Sequence, residues 1–149
     1  MSSASGWKTS KKEAEVGLDQ YLYRVPKGEK PVWVDSNELA DWRKANQIHG
    51  WFVREMADGR DDYRPIRVWP DDLRRLRDLA AEVLDQQGRG DAGAARALDL
   101  LPPRPGFFFG SQEIDEWYWK KLEDTVRMLD AVLSDPHLPD WDIYYEASW

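Results

Sequence analysis

The sequence predicts one α+β domain: a small, mostly antiparallel sheet, made of an N-terminal hairpin and a C-terminal strand and covered by about four helices. Segments rich in aromatic and β-branched residues stand near both ends of the chain, and segments with helical spacing of apolar residues fill the middle. A length of 149 residues suits a single core. We expect a disordered leader at residues 1–16 and the domain at residues 17–149.

The predicted hairpin follows the leader, which is polar and lacks apolar periodicity. Gly17–Val25 is rich in Tyr, Leu and Val, a composition typical of a strand. Lys27–Lys30 contains glycine between charged residues and is predicted to be a turn. Val32–Val34 is therefore the expected second strand of the hairpin.

The first helix is predicted to run from Asp35 to about Met56. Asp35 and a glutamate three residues later have the spacing of a capping box, and an Asp-Gly pair follows the segment. Positions spaced by three and four residues form its expected buried stripe: Leu39, Trp42, Asn46, His49, Val53 and Met56. Two polar residues, Asn46 and His49, therefore fall in the middle of a face that should be buried.

Proline and glycine mark the boundaries of the later elements. We expect a third short strand at Ile66–Trp69, helices at Pro70–Leu84 and Ala92–Leu101, a long helix from Ser111 or Gln112 to about Leu133, and a terminal strand at Trp141–Trp149. The terminal segment alternates apolar and polar residues, and we expect it to pair with the first strand and close the sheet.

Composition excludes several classes of protein. The chain has no cysteine, which excludes disulfides, thiolate catalysis and Cys-type zinc sites. No apolar run approaches the roughly 20 residues that span a bilayer, and the first residues do not have the pattern of a secretory signal. We therefore expect a soluble cytoplasmic protein without a membrane partner.

Negative charge is concentrated at the C-terminal end. The net charge is −7, and residues 112–149 contain ten acidic residues against three basic ones. This balance argues against general nucleic-acid binding, which requires neutralisation of phosphates. The acidic third is either a solvated surface, a docking face for a basic partner, or a mimic of nucleic acid.

Asn46 and His49 are the first candidate functional residues. A buried polar group without a partner costs about 1–3 kcal/mol, so both side chains need one. They form either a satisfied core pair or the floor of a ligand site, with Trp42 as a wall and Arg43 at the rim. Histidine is also the usual acid–base group near neutral pH. The sequence shows no nucleophile to accompany it, so we assign no catalytic residue.

The turn Gly106–Ser111 is the second candidate. Its three successive phenylalanines cannot all face one way in an extended segment, and we include the central one, Phe108, in the site. The flanking Gly106 and Gly110 allow close approach of another group. Ser111 precedes a predicted helix start, where N–H groups attract anions, although simple helix capping also explains a serine there. Tyr118, on the inner stripe of that helix, completes the set.

Metal and cofactor sites are not expected. His49 and His137 are the only histidines, and by helical angle Asp115 and Asp124 point to opposite sides of the last long helix. The arginines in the middle of the chain have acidic neighbours, which favours a paired surface over a local anion site.

Four blocks of the sequence resemble a family of small phage and prophage proteins. They are GLDQYL at Gly17–Leu22, WRKANQIHGWFV at Trp42–Val53, GFFFGSQEIDEWY at Gly106–Tyr118, and the final Ser148-Trp149. Some members of that family carry a phosphoglycerate kinase label, but this sequence lacks the length and the glycine loops of that kinase. The resemblance implies a phage or prophage setting and supplies no reaction.

Three functions remain open at this point, as does the oligomeric state. The first is a binding module for a small polar ligand, such as a nucleotide or a host signal, built from the two candidate segments. The second is an inhibitor or adaptor of a host protein that acts through the acidic C-terminal face. The third is a small hydrolase-like enzyme that uses His49. A pocket joining the two segments would favour the binding module. A solid core with exposed aromatics elsewhere would favour the inhibitor or adaptor. A carboxylate bonded to His49 inside a cleft would favour the enzyme.

Overall fold

The computed structural model describes residues 17–106 and 110–149. The leader at residues 1–16 and the candidate Phe108 lie outside the described residues. The described elements, in chain order, are β1 (Asp19–Pro26), β2 (Glu38–Arg43), α1 (Asn46–Met56), β3 (Ile66–Val68), α2 (Pro70–Leu84), α3 (Gly90–Leu100), α4 (Glu116–Leu133) and β4 (Trp141–Ser148). Short 3-10 turns at Asp35–Asn37 and Leu138–Asp140 precede β2 and β4.

The sheet has the order β2-β1-β4-β3, and all its pairs are antiparallel. β1 is an inner strand that pairs with β2 on one side and with β4 on the other. Its pairing with β4 runs without a break from Asp19 opposite Ser148 to Pro26 opposite Trp141. The predicted α+β class, with an N-terminal hairpin and a C-terminal strand beside the first, is confirmed.

The helices lie on one face of the sheet. Alternate residues of the strands, such as Leu22, Ala40 and Ile143, point to that side and are almost fully buried. One continuous apolar cluster joins them to side chains from all four helices, including Phe52 and Leu129. Within the described residues, no helix is both long and apolar enough to cross a lipid bilayer.

The opposite face of the sheet has its own, smaller apolar cluster of Tyr21, Tyr23 and Val25. The loop between β1 and β2 covers it, because Trp33 packs against Tyr21 with ring centroids 5.0 Å apart. The Trp33 indole N–H also donates to Glu38 at 3.0 Å. Among the described residues, this loop shields the second face of the sheet.

The predicted first helix was wrong in its first half. Glu38–Arg43 is a strand in which Ala40 and Trp42 alternate inward, and α1 begins only at Asn46. At Lys44 the backbone has φ = 56°, a left-handed conformation that no α-helix can continue through. Trp42 therefore belongs to the sheet, whereas Asn46 and His49 belong to α1.

Two other boundaries differ from the predictions. Val32–Val34 is not a strand, because this segment forms part of the loop that carries Trp33 over the sheet. The long helix starts at Glu116 and not at Ser111 or Gln112, because the Asp115 carboxylate accepts the Tyr118 N–H at 3.0 Å and caps the helix. The predicted boundaries of α2 are confirmed, and those of α3 differ by one or two residues.

Candidate functional site

A pocket of about 340 Å³ lies where the start of α1 meets the start of α4. Small-molecule sites commonly occupy roughly 300–1,000 Å³. Three parts of the chain supply the walls: the turn from β2 to α1, the segment before α4, and the first turns of α4. The lining residues are Arg43, Lys44, Asn46, Gln47, Gly110, Ser111, Glu113, Asp115, Trp117, Tyr118 and Lys121.

The turn into α1 is held by a buried glutamine of β1. The Gln20 side chain accepts the Ala45 N–H at 2.8 Å and donates to the Ala45 carbonyl at 3.0 Å. Ala45 is the N-cap residue of α1 and has no side chain that could cap the helix. The Lys44 N–H donates to the Leu18 carbonyl at 2.8 Å. Gln20 and the β1 backbone therefore fix where the first residues of α1 meet the pocket.

Asn46 fastens the segment before α4 to α1. Its amide nitrogen donates to the Ser111 carbonyl at 2.9 Å, and its amide oxygen accepts the Arg104 N–H at 3.0 Å. Gly110 has φ = 99°, and a Cβ at this position would lie 3.2 Å from the Lys44 Cβ. A side chain at residue 110 would therefore be strained and would crowd the turn.

Gln47 fastens the first turn of α4. Its side-chain amide donates to the Tyr118 carbonyl at 3.1 Å. The Tyr118 hydroxyl points away from this contact and donates to the Leu101 carbonyl at 2.7 Å, and burial raises the pKa of this phenol. Tyr118 therefore contributes a wall to the pocket, while its hydroxyl anchors the end of α3.

Three cations, Arg43, Lys44 and Lys121, line the pocket. Arg43 is paired with Asp19 at 2.7 Å, whereas Lys44 and Lys121 form no ion pair with any other described residue. Burial lowers the pKa of Lys121, and the nearby Lys120 and Arg43 cations lower it further, against the opposing effect of Asp124. The Lys121 ammonium is thus partly removed from water without a direct anionic partner in the described parts of the chain, and such a cation favours an anion from solution.

Two carboxylates and an exposed aromatic ring also line the pocket. Glu113 and Asp115 line the pocket just before α4. Trp117 follows in the first turn and is 61% exposed, the highest exposure among the large apolar side chains of the described residues. Trp117 and Lys121 are four residues apart and therefore lie one above the other on the same face of α4.

The pocket joins the two segments that the sequence singled out. Five candidate residues line it: Arg43, Asn46, Gly110, Ser111 and Tyr118. Trp42, His49 and Gly106 do not belong to its lining. The sequence analysis missed the other six lining residues: Lys44, Gln47, Glu113, Asp115, Trp117 and Lys121. For Trp117 and Lys121, the available signal was their i, i+4 spacing on the outer face of the last helix.

Trp42 lies in the core behind the pocket. Its side chain is only 5% exposed, and its indole N–H donates to the Thr125 hydroxyl of α4 at 2.9 Å. The ring meets Phe52 and Tyr145 edge-on, with centroids 6.3 Å away in each case. The expected role as a pocket wall rested on a helix at residues 35–56, and the strand directs Trp42 inward instead.

His49 belongs to a buried hydrogen-bonded chain. Its Nδ1 lies 2.8 Å from the Tyr145 hydroxyl, and its Nε2 lies 2.8 Å from the Asp61 carboxylate. Gln20 donates to the Tyr145 oxygen at 3.2 Å, which leaves the phenol proton for His49 Nδ1. Arg104 Nε donates to the second Asp61 oxygen at 2.9 Å. These hydrogen bonds correspond to a neutral His49 imidazole that carries its proton on Nε2.

Burial lowers the pKa of His49, and the nearby Arg104 cation adds to this, although the Asp61 carboxylate opposes it. The ring is 1% exposed, and both of its nitrogens are bonded to protein groups. A substrate in the pocket would therefore not touch it. The arrangement is that of a satisfied core polar group, one of the two alternatives that the sequence left open.

Many carboxylates of the acidic C-terminal third have partners within the chain. Seven of its ten carboxylates accept a hydrogen bond or an ion pair from a described residue: Asp115, Asp124, Asp130, Asp135, Asp140, Asp142 and Glu146. Arginines from earlier elements supply several of these partners, as in Arg77–Asp130 at 2.6 Å and Arg67–Asp142 at 2.8 Å.

In the described parts of the chain, no group of three or more His, Cys, Asp or Glu side chains could hold a metal ion. Comparisons of the chain with protein families, with curated proteins and with solved structures gave no match. The case for a function therefore rests on the geometry of the pocket.

Proposed function

We propose that this protein is a binding module whose pocket between α1 and α4 takes a small polar ligand. The observation that carries the proposal is the pocket itself, which joins the start of α1 to the segment that runs from Gly110 into α4. Residues that line it are held by hydrogen bonds from Asn46 and Gln47. A preformed wall lowers the entropy lost on binding, which suits a ligand site.

The chemistry of the lining supports a polar ligand. Lys44 and Lys121 form no ion pair with a described residue, and Trp117 offers a mostly exposed aromatic surface on the same face of α4 as Lys121. A few charged groups around an aromatic wall are typical of sites that orient a small molecule. The pocket lining contains no histidine, and among the described residues we find no nucleophile paired with a base there. Binding is therefore a better proposal than catalysis.

The two other functions are less well supported. An adaptor acting through a uniformly acidic face would need carboxylates that no cation neutralises, yet Asp130, Asp135 and Asp142 pair with arginines of earlier elements. A hydrolase-like enzyme using His49 would need access to an imidazole that is 1% exposed. The resemblance to phage and prophage proteins leads us to propose that the module acts in the cytoplasm of an infected or lysogenic bacterium.

The proposal is tested by searching for the ligand directly. The purified protein is denatured, and released small molecules are identified by mass spectrometry beside the double variant Trp117→Ala, Lys121→Met. We expect a retained molecule in the wild type and a loss of at least about tenfold in the double variant. The matched control is Lys120→Met, because Lys120 is mostly exposed, is paired with Asp124 at 3.0 Å and does not line the pocket.

Equal retention by the wild type and the double variant would contradict a ligand site at this pocket. Retention of nothing, together with no thermal stabilisation by a library of polar metabolites, would contradict a binding function. A binding molecule stabilises the folded state by mass action, so a screen of melting temperatures detects ligands lost during purification.

A further inference from the structure

The charges of the pocket are ordered along α4. The carboxylates of Glu113 and Asp115 stand before the helix, Trp117 is in its first turn, and Lys121 is one turn later. At 1.5 Å per residue, Asp115 and Lys121 are separated by about 9 Å along the axis, and Trp117 lies between them in chain order. Along α4 the lining therefore runs from hydrogen-bond acceptors, through an aromatic ring, to a cation.

Two more cations and the start of a helix line the pocket from outside α4. Arg43, held by Asp19, and Lys44 both line the pocket, as do the first residues of α1, Asn46 and Gln47. The amino end of a helix carries partial positive charge and favours anions. Lysine and arginine side chains grouped beside such a helix start match a phosphate group, which accepts several charge-assisted hydrogen bonds.

Taking the proposed function as its premise, we propose that the ligand is a nucleoside 5′-monophosphate whose base carries an amino group, with guanosine monophosphate the best fit. The phosphate meets Lys121, Lys44 and Arg43. The base stacks on Trp117, as bases do on exposed aromatic side chains. The Glu113 carboxylate can only accept hydrogen bonds, and guanine offers its amino and imino N–H groups side by side to such an acceptor.

Two other polar ligands fit less well. A free amino acid holds its ammonium and carboxylate on one carbon, so it cannot reach both Asp115 and Lys121, which are about 9 Å apart along the axis of α4. A long nucleic acid would bring many phosphates to a chain of net charge −7, which repels a polyanion. A mononucleotide brings only one phosphate group to the pocket.

The test is isothermal titration calorimetry of the full chain with guanosine monophosphate, guanosine and uridine monophosphate. We expect guanosine monophosphate to bind with at least about tenfold higher affinity than either of the other two. Lys121→Met should remove most of the advantage of guanosine monophosphate over guanosine, while Lys120→Met should keep it. Glu113→Gln should remove most of the preference over uridine monophosphate, while the exposed neighbour control Glu116→Gln should keep it.

Equal affinities for guanosine monophosphate and guanosine would overturn the assignment of the phosphate end. Tighter binding of a 5′-phosphorylated oligonucleotide than of the mononucleotide would mean that the occupant is a nucleic acid, and would also overturn the proposal. If none of the three compounds binds but another molecule is retained and lost in the Trp117→Ala, Lys121→Met variant, the binding function stands and the nucleotide assignment is wrong.

Discussion

At the scale of single residues, Asn46 and His49 have separate roles although they lie one turn apart on α1. Asn46 holds the segment before α4 through Ser111 and the Arg104 backbone, whereas His49 connects Tyr145 to Asp61. The sequence indicated that both side chains need partners. It could not identify those partners, because Tyr145 is 96 residues from His49 and Ser111 is 65 residues from Asn46, with no local pattern linking them.

The enclosure of His49 predicts how stability depends on pH. The pKa of His49 in the folded protein is lowered from 6.5, chiefly by burial, so below about pH 6.5 the unfolded chain takes up a proton that the folded protein does not. The part of the free energy of unfolding that depends on neutral His49 should be fully present above pH 6.5. It should fall as the pH drops towards the folded-state pKa, by at most about 1.4 kcal/mol per pH unit. Urea unfolding at pH 7.5 and pH 5.5 measures this.

His49→Gln should abolish this part of the pH dependence and should itself cost about 1–3 kcal/mol at pH 7.5, because Tyr145 or Asp61 loses a partner. The control is His137→Gln, since the other histidine has a side chain that is 77% exposed. An unchanged pH dependence in His49→Gln would show that His49 does not titrate between the two states.

At the scale of elements, the sequence predicted those whose apolar spacing agrees with their packing. Pro70–Leu84 is such a helix, since its Leu73, Leu76, Ala80 and Val83 are buried on one side. Glu38–Arg43 is not an element of this kind. Its residues also allow a helix, and they form a strand because Ala40 pairs with Leu22 of β1. Tertiary pairing overrides local propensity there, and the sequence contains no local sign of it beyond the two inward residues.

The terminal strand is predicted to be indispensable. β4 pairs with β1 on one side and β3 on the other, and its Ile143 and Tyr145 are fully buried. Truncation after Pro139 should therefore give an insoluble product or one without a cooperative thermal transition, because the small core then loses an inner strand and its large side chains. Circular dichroism during heating measures this. A soluble truncated chain with a sharp transition would show that the sheet forms without β4.

At the scale of the whole molecule, the uneven distribution of charge along the sequence is partly evened out by folding. Arginines from the first two thirds of the chain meet carboxylates of the last third, as in Arg24–Asp135 at 3.5 Å. The pocket is also a product of the fold, because Gln47 and Tyr118, 71 residues apart, meet there. The sequence could single out the two segments, but only the fold determines which charges face each other between them.

The pairing of β1 with β4 has a consequence for the speed of folding. It brings together residues as far apart as Gln20 and Tyr145, which are 125 positions apart, so the search for this contact must close a loop nearly as long as the domain. Loop-closure entropy slows folding when such distant contacts form in the transition state. Residues 19 and 148 are directly opposite each other, so a short linker could join residue 149 to residue 17.

A circular permutant with this linker and new ends in the turn at residues 87–89 would make the same contacts through a local hairpin. Stopped-flow tryptophan fluorescence should show refolding faster by roughly tenfold or more than in the original chain, with little change in the unfolding rate. Equal refolding rates would mean that the two terminal strands meet only after the rate-limiting step.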